Sequence, residues 1–206
     1  MVDLLVLDEN ATADVTTRPV TSFGGVPAVP SASDFAWPRC GDLCEEPMQF
    51  LGKVVDPSVP DGSRLVLVFM CDNPETAGGC ETWDADAGAN AAVLVAVDPA
   101  GVLEPVAVPE GPSSTRGAWY GAEIASVDVP GARADRAYSE AMDAWRTAHP
   151  DRPGRCVVGG WGGAPSFVQG DETPTCDGCD RPMGFVAHVE EGPDHRTAAN
   201  FGGGVG

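Results

Sequence analysis

The arrangement of the cysteines constrains the fold of this chain more than any other feature of its sequence. Cys40 and Cys44 flank the turn-forming triplet GDL. Cys71 and Cys80 follow the apolar run RLVLVFM, which has the branched residues of a buried strand. Two cysteine pairs that a hairpin brings together can supply the four thiolates that a structural zinc ion prefers. The spacing predicts a zinc site; the alternative is that these cysteines are small buried residues.

A further cysteine pair, Cys176 and Cys179, lies near the other end of the chain. Its CxxC spacing suits two ligands of one metal ion, but no second pair follows it. Cys156 is predicted to be a buried thiol in a strand, and His188 and His195 are the conceivable substitute ligands. Thioredoxin-like redox chemistry is a third interpretation, disfavoured by the missing βαβ context and the flanking aspartates. The predicted metal ligands are Cys40, Cys44, Cys71, Cys80, Cys176 and Cys179.

The two ends of the chain share a pattern. FGGVP at 23–27 matches WGGAP at 161–165, and in both places a cysteine pair and then Pro-Met-x-Phe follow. We interpret this order as an internal duplication. The Gly-Gly pairs are expected to form equivalent turns, because glycine tolerates positive φ.

The remaining sequence predicts mostly strands and one helix. Runs of branched apolar residues such as NAAVLVAV indicate short buried strands, whereas 132–148 carries Tyr138, Met142 and Trp145 at helical spacing. The predicted fold class is therefore α+β and predominantly β, with two related β-rich halves, zinc-knuckle-like cysteine boxes and one amphipathic helix between them. We expect a first β-rich repeat over 1–115, a helical connection over 116–155 and a second, incomplete repeat over 156–206.

The second repeat is expected to be incomplete for a reason of length. The interval from Cys44 to Cys71, counted onward from Cys179, reaches the last residue, Gly206. We therefore expect a fragment or a truncated product, in which the second cysteine pair is a weak half-site. The segment after His195 is expected to be poorly ordered.

Composition limits the kinds of partner. The chain has 31 acidic and 12 basic residues, a formal charge of −19, which repels nucleic acid and anionic membrane surfaces. A basic protein partner is compatible with this charge, although a GC-rich genome or a salty cytoplasm is the stronger interpretation of the bias. The N-terminal stretch MVDLLVLDENATAD has only a short apolar run followed by acids, so we expect that it is not a secretory signal, and no run reaches roughly 18 apolar residues. We expect a cytoplasmic protein with reduced thiols and no nucleic-acid or membrane partner.

The sequence lacks the common catalytic motifs. GxSxG, GxxxxGK[ST] and HExxH are absent, and three histidines are too few to be assigned to a nucleophile. We therefore expect a protein that is not an enzyme.

Several segments resemble known families. SFGGVPAVP, CGDLCEEPMQFLGKVVDP and RLVLVFMC resemble the opening of the programmed cell death protein 2 family, in which a Gly-Gly-x-Pro-Ala entry precedes a cysteine knuckle and two strands. GGWGGAPSFVQGD resembles the related bacterial YwqG-like family of unknown function. The matching element consists of Gly163, Pro165, Val168, Gln169 and Asp171. Together the segments leave about 99–155 unmatched.

This resemblance implies a β-rich fold of two similar halves without enzymatic activity, whose eukaryotic relatives act as chaperones for a ribosomal protein. It also implies metal positions at Cys40, Cys44, Cys71 and Cys80, with Cys176 and Cys179 in the second half. The bacterial family often lacks these cysteines, so the client does not carry over. We expect a zinc-stabilised protein-binding domain, chaperone-like toward a basic client; the alternatives are a zinc-dependent hydrolase and an immunity-type (antitoxin) binding protein.

Overall fold

A computed structural model of the chain describes residues 1–8, 13–73, 79–82, 84, 86–111, 119–152, 156–165, 173–176 and 178–190. This part contains ten strands and one α-helix, so the predominantly β class is confirmed. The strands are β1 Val2–Asp8, β2 Ser22–Gly24, β3 Ala28–Val29, β4 Gln49–Val55, β5 Arg64–Met70, β6 Asn90–Ala96, β7 Glu104–Pro105, β8 Trp119–Val127, β9 Val157–Trp161 and β10 Ala187–Val189. The helix α1 is Ala137–Ala148, and 3₁₀ turns occupy Ala13–Thr16 and Ala134–Arg136.

Eight strands form one antiparallel sheet in the order β10-β9-β1-β8-β2-β4-β5-β6. The chain order and the sheet order differ, because β9 and β10 return to pair beside β1 at the start of the chain. The segment 116–155 contributes the central strand β8 as well as α1. Strands β3 and β7 form a separate two-stranded sheet.

The described residues form two hydrophobic cores, and β5 contributes to both, one from each of its faces. Leu65, Leu67 and Phe69 pack into the core that also contains three of the four cysteines of the first half, and the half-buried Cys44 packs against this core. Val66 packs into the other core, with α1 and β1, and Val68 lies against that core. This alternation follows from the two-residue period of a strand, which points successive side chains to opposite faces.

Helix α1 packs one apolar stripe against the sheet. Tyr138, Ala141 and Trp145 are its buried residues, and Met142 packs beside them. The spacing of three and four residues places them on one face, so the predicted core role is confirmed. The helix ends at Ala148 and is followed by His149, whose Nδ1 lies 2.8 Å from the carbonyl oxygen of Trp145.

The Gly-Gly pairs lie at the ends of β2 and β9 and have left-handed backbone; Gly24 is the last residue of β2, and Gly162 is the first residue after β9. Gly24 and Gly25 have φ of 77° and 71°, and Gly162 and Gly163 have φ of 62° and 78°. Residues with a Cβ rarely adopt this conformation, so glycine is the residue that fits here.

Two expectations fall on residues outside the described ranges. They are the order of the segment after His195 and the placement of Val168, Gln169 and Asp171. Among the described helices, none is long and apolar enough to cross a membrane.

Lys53, the one lysine of the chain, is buried within the sheet with 2% of its surface exposed. It lies in β4, opposite Ser22 of β2, and its Nζ donates hydrogen bonds to the carbonyl oxygens of Thr16 at 2.9 Å and Arg18 at 2.7 Å. These bonds fasten the 3₁₀ segment to the sheet. Burial nevertheless penalises the charged form and lowers the pKa of Lys53 to about 8.

This lowered pKa predicts a pH dependence of stability. The unfolded chain keeps the lysine proton up to the ordinary pKa of 10.5, so unfolding takes up a proton between about pH 8 and pH 10.5, and the penalty for burying the charge disappears as pH rises. Relative to Lys53→Met, we expect the free energy of unfolding of the wild type to rise by about 3 kcal/mol across this window. Urea unfolding of both proteins under reducing conditions measures the difference. If the free energies of unfolding of the two proteins change in parallel with pH, the lowered pKa of Lys53 is wrong.

Candidate metal centre

The first cysteine pair lies in a tight β-hairpin over 38–48, here called the first knuckle. Arg39 forms an antiparallel bridge with Pro47, and the N–H of Cys40 donates to the carbonyl oxygen of Glu46 at 2.9 Å. Glu45, directly after Cys44, has a φ of 55° and reverses the chain. Cys40 and Cys44 are thereby held on the same turn.

The third cysteine follows β5, which pairs with β4, the strand that begins directly after the first knuckle. Cys71 comes directly after β5, and its N–H donates to the carbonyl oxygen of Ala89 at 2.8 Å. This bond joins the end of β5 to the chain just before β6.

Cys80 reaches the cluster through a loop that is tied to the first knuckle. The N–H of Glu81 donates to the Asp42 carboxylate at 2.8 Å, and the N–H of Gly41 donates to the carbonyl oxygen of Gly88 at 2.8 Å. Gly88 has a φ of 76°, and a Cβ on it would lie 3.3 Å from the Gly41 Cα. Both its backbone conformation and this close approach favour glycine at position 88.

These contacts bring four sulfur atoms together. The Sγ atoms of Cys40, Cys44, Cys71 and Cys80 all lie within 4.8 Å of one another, and the Cys44–Cys71 pair is 3.5 Å apart. A tetrahedral zinc ion with Zn–S bonds near 2.3 Å requires S–S separations of about 3.8 Å. All four are free thiols, three are buried and Cys44 is half-buried. The cluster could hold a metal ion.

The environment of the cluster shifts the pKa values of three of its thiols, two upward and one downward. Burial raises the pKa of Cys40 and of Cys71 above the ordinary thiol value. Burial also opposes ionisation of Cys44, but hydrogen bonds from the backbone of Glu46 and the thiol of Cys71 outweigh it and lower its pKa to about 7. Without a cation, burial therefore keeps part of this site protonated, so metal binding would release protons.

Backbone N–H groups point at the sulfur atoms. Cys40, Cys44 and Cys71 each have the N–H of the residue two positions later as a hydrogen-bond partner, supplied by Asp42, Glu46 and Asn73. Such N–H groups favour the thiolate form, which is the form that binds metal. The turn that follows each of these three cysteines therefore both directs the chain and supplies a hydrogen bond to the sulfur atom.

An aromatic layer packs beside the cluster. Phe69 lies 5.3 Å from Phe50, 5.7 Å from Trp37 and 6.1 Å from Phe35, measured between ring centroids. The Trp37 Nε1 donates to the carbonyl oxygen of Met48 at 2.8 Å, which fixes the indole against the first knuckle. This layer joins the cysteines to the core of the same sheet face.

The second cysteine pair lies in a similar hairpin elsewhere, over 174–176 and 178–183, here called the second knuckle. Thr175 forms a bridge with Pro182, and the N–H of Cys176 donates to the carbonyl oxygen of Arg181 at 2.9 Å. Asp180, directly after Cys179, has a φ of 52°. Hydrogen bonds from Arg181 lower the pKa of Cys179. The structure thus brings together four of the six predicted ligands and holds Cys176 and Cys179 apart from them.

The remaining sequence candidates lie away from both cysteine pairs or outside the described residues. Cys156 is buried in the core on the α1 face, as the sequence predicts. His188 lies in β10, where its ring packs edge-on against Tyr138 at 4.3 Å and its Nε2 lies 3.7 Å from Glu190. Hydrogen bonding from His188 lowers the pKa of Glu190. His195 lies outside the described residues.

Sequence reasoning missed the polar supports of the cluster. The bond from Glu81 to Asp42 joins residues 39 positions apart, and the contact of Gly41 with Gly88 joins residues 47 positions apart. The local sequence signal of these contacts is Gly88 in DAGAN, a glycine shortly before β6.

Comparison with known proteins gives no relative: no protein-family model, no curated protein and no solved structure matches the chain. The resemblance to the programmed cell death protein 2 and YwqG-like families therefore stays a prediction from the quoted motifs.

Proposed function

We propose that the four-cysteine cluster holds one structural zinc ion, and that the chain is a non-enzymatic, zinc-stabilised protein-binding domain. The observation that carries the proposal is the mutual approach of four Sγ atoms within 4.8 Å. Four thiolates fill the coordination shell of a tetrahedral zinc ion, whereas catalytic zinc keeps one position open for water or substrate. This closed ligand set argues against the alternative of a zinc-dependent hydrolase.

The ligand chemistry supports zinc as the metal. Four soft thiolates in a tetrahedron favour zinc or iron over the hard cations magnesium and calcium. All seven cysteines are free thiols, which is the state expected in a reducing cytoplasm. Zinc at this position would join the first knuckle, the end of β5 and the loop before β6 into one unit.

Removal of one ligand tests this role. We expect Cys71→Ser to lose the zinc and to lower the melting temperature by on the order of 10 °C, because binding to such a site is coupled to folding. Zinc content by mass spectrometry and thermal melting of reduced, chelator-free protein measure both effects.

A matched control is Cys156→Ala, which removes a buried thiol from the opposite core and should keep the full zinc content. The proposal fails if the wild type carries no zinc, or if Cys71→Ser keeps both its zinc and its melting temperature.

We also infer that the two knuckles descend from an internal duplication. Both have a residue with positive φ directly after the second cysteine, Glu45 in the first and Asp180 in the second. The neighbouring strand pairings agree as well, since Phe23 pairs with Gly52 and Trp161 pairs with Ala187. The repeated sequence motifs equate these same positions, which supports a common origin and the resemblance to the two-half families.

The surface feature that supports protein binding is an open groove of about 210 Å³ beside the two-stranded sheet. Val29, Phe35 and Pro105 provide apolar lining, and the exposed Glu104 lies among them. A groove with a mixed polar and apolar lining and an acidic side chain fits an extended segment that carries both apolar and basic side chains. The charge of −19 would accelerate encounter with such a client. We therefore propose a chaperone-like role toward a basic client.

A charge reversal at the groove tests this surface. We expect Glu104→Lys to weaken capture of a basic partner from a lysate of the native cells by about fivefold, because it places a like charge beside the bound segment. Glu123→Lys, an exposed position on β8, changes the net charge equally and is the control.

Quantitative mass spectrometry of the captured proteins separates the outcomes. Equal losses with both variants would remove the groove from the proposal. A captured toxin domain would favour the immunity-type alternative over a chaperone-like role.

A further inference from the structure

The second knuckle has the backbone of a metal-binding turn but a different environment from the first. In both knuckles the second cysteine has the N–H two residues later as a hydrogen-bond partner, Glu46 for Cys44 and Arg181 for Cys179. Met48 of the first knuckle is 2% exposed, whereas Met183, its counterpart, is 51% exposed. The second knuckle therefore presents the same motif to solvent.

The described part of the chain offers this knuckle no further ligand. Among the described residues, the cluster around Cys40 is the one group of three or more potential ligands close enough to share a metal ion. Cys176 is half-buried and Cys179 is exposed. Two thiolates leave half of a tetrahedral zinc shell unfilled, and exposed sulfur atoms can be reached by another molecule.

We propose that the second knuckles of two copies of this chain share one zinc ion, with Cys176 and Cys179 of each copy as its four ligands. A tetrahedron has two-fold axes that exchange one pair of its corners with the other pair. A two-fold symmetric dimer therefore suits such a site, and two-fold dimers are the most common oligomers. On binding, four Zn–S bonds form and protons of the thiols pass to solvent.

The surroundings of the second knuckle fit burial between two copies. Met183, at the end of the knuckle, and Val186, on the segment that leads to β10, are large apolar side chains, each 51% exposed. Contact between copies would remove this apolar surface from water. The exposed Arg181 adds a positive charge next to the thiolates, so two copies bring two such charges to a site with excess negative charge.

The overall charge makes the dimer depend on the metal. Two chains of charge −19 repel each other, and salt screens this repulsion over about 8 Å at physiological ionic strength. Zinc therefore has to supply most of the attraction, and moderate salt should strengthen the dimer. This inference is independent of the zinc proposed for the first knuckle.

The test uses the reduced full chain and zinc alone. We expect zinc to convert the protein into a dimer by light scattering, with about 1.5 zinc ions per chain, one in each first site and one shared between two chains. The double variant Cys176→Ser/Cys179→Ser should stay monomeric with about 1.0 zinc ion per chain and with the melting temperature of the monomeric wild type. If the four-cysteine cluster binds no zinc, the wild type should still carry about half a zinc ion per chain more than the double variant.

Mixing provides the second measurement. The double variant should not pair with the wild type, because a mixed pair supplies only two thiolates. Cys156→Ala, the matched single-thiol control, should dimerise as the wild type does. The proposal is overturned by a wild type that stays monomeric at saturating zinc, by a dimer that persists in the double variant, or by a monomer with about two zinc ions.

Discussion

The register of β4 against β5 is the constraint on which the candidate metal centre depends. Gln49 pairs with Met70 at the end of the ladder, so the first knuckle enters β4 beside the point where β5 delivers Cys71. A slip by two residues would keep every side chain on its own face but would move Cys71 by about 7 Å. That displacement exceeds the 4.8 Å that encloses the four sulfur atoms. The pairing of apolar strands and the sulfur cluster therefore specify the same register.

The sequence predicted the local parts of the centre and missed the distant ones. Cys40 and Cys44 flank a turn, and Cys71 follows an apolar run, so local spacing alone indicated a hairpin with cysteines at its ends. The approach of the Cys80 loop depends on Asp42 accepting from Glu81, a contact that no periodicity encodes. The helix was predicted over 132–148, but α1 begins at Ala137 after a 3₁₀ turn, since helix ends are the least regular part of a pattern.

The order of the strands in the sheet was beyond sequence reasoning. Periodicity identifies strands, but it carries no information about which distant strand becomes a neighbour. Here β9 pairs with β1, at the other end of the chain, and β8 lies between β1 and β2. The four consecutive buried residues of β1, Leu4–Leu7, are the local sequence feature that agrees with its position inside the sheet. A strand covered on both faces does not alternate between apolar and polar residues. Most short apolar runs do not show whether the segment lies inside a sheet or at its edge.

The burial of Lys53 has a practical consequence for how opening of the sheet can be followed. Because this is the chain's one lysine, an amine-reactive reagent finds a side-chain target only when β4 separates from the carbonyl groups of Thr16 and Arg18. Acylation at this position would then proceed at the pace of local opening, and the modified amine could not return to its site. The mass added at Lys53, read by peptide mapping apart from that at the exposed amino group of Met1, would report the rate at which the central sheet opens while the protein stays folded.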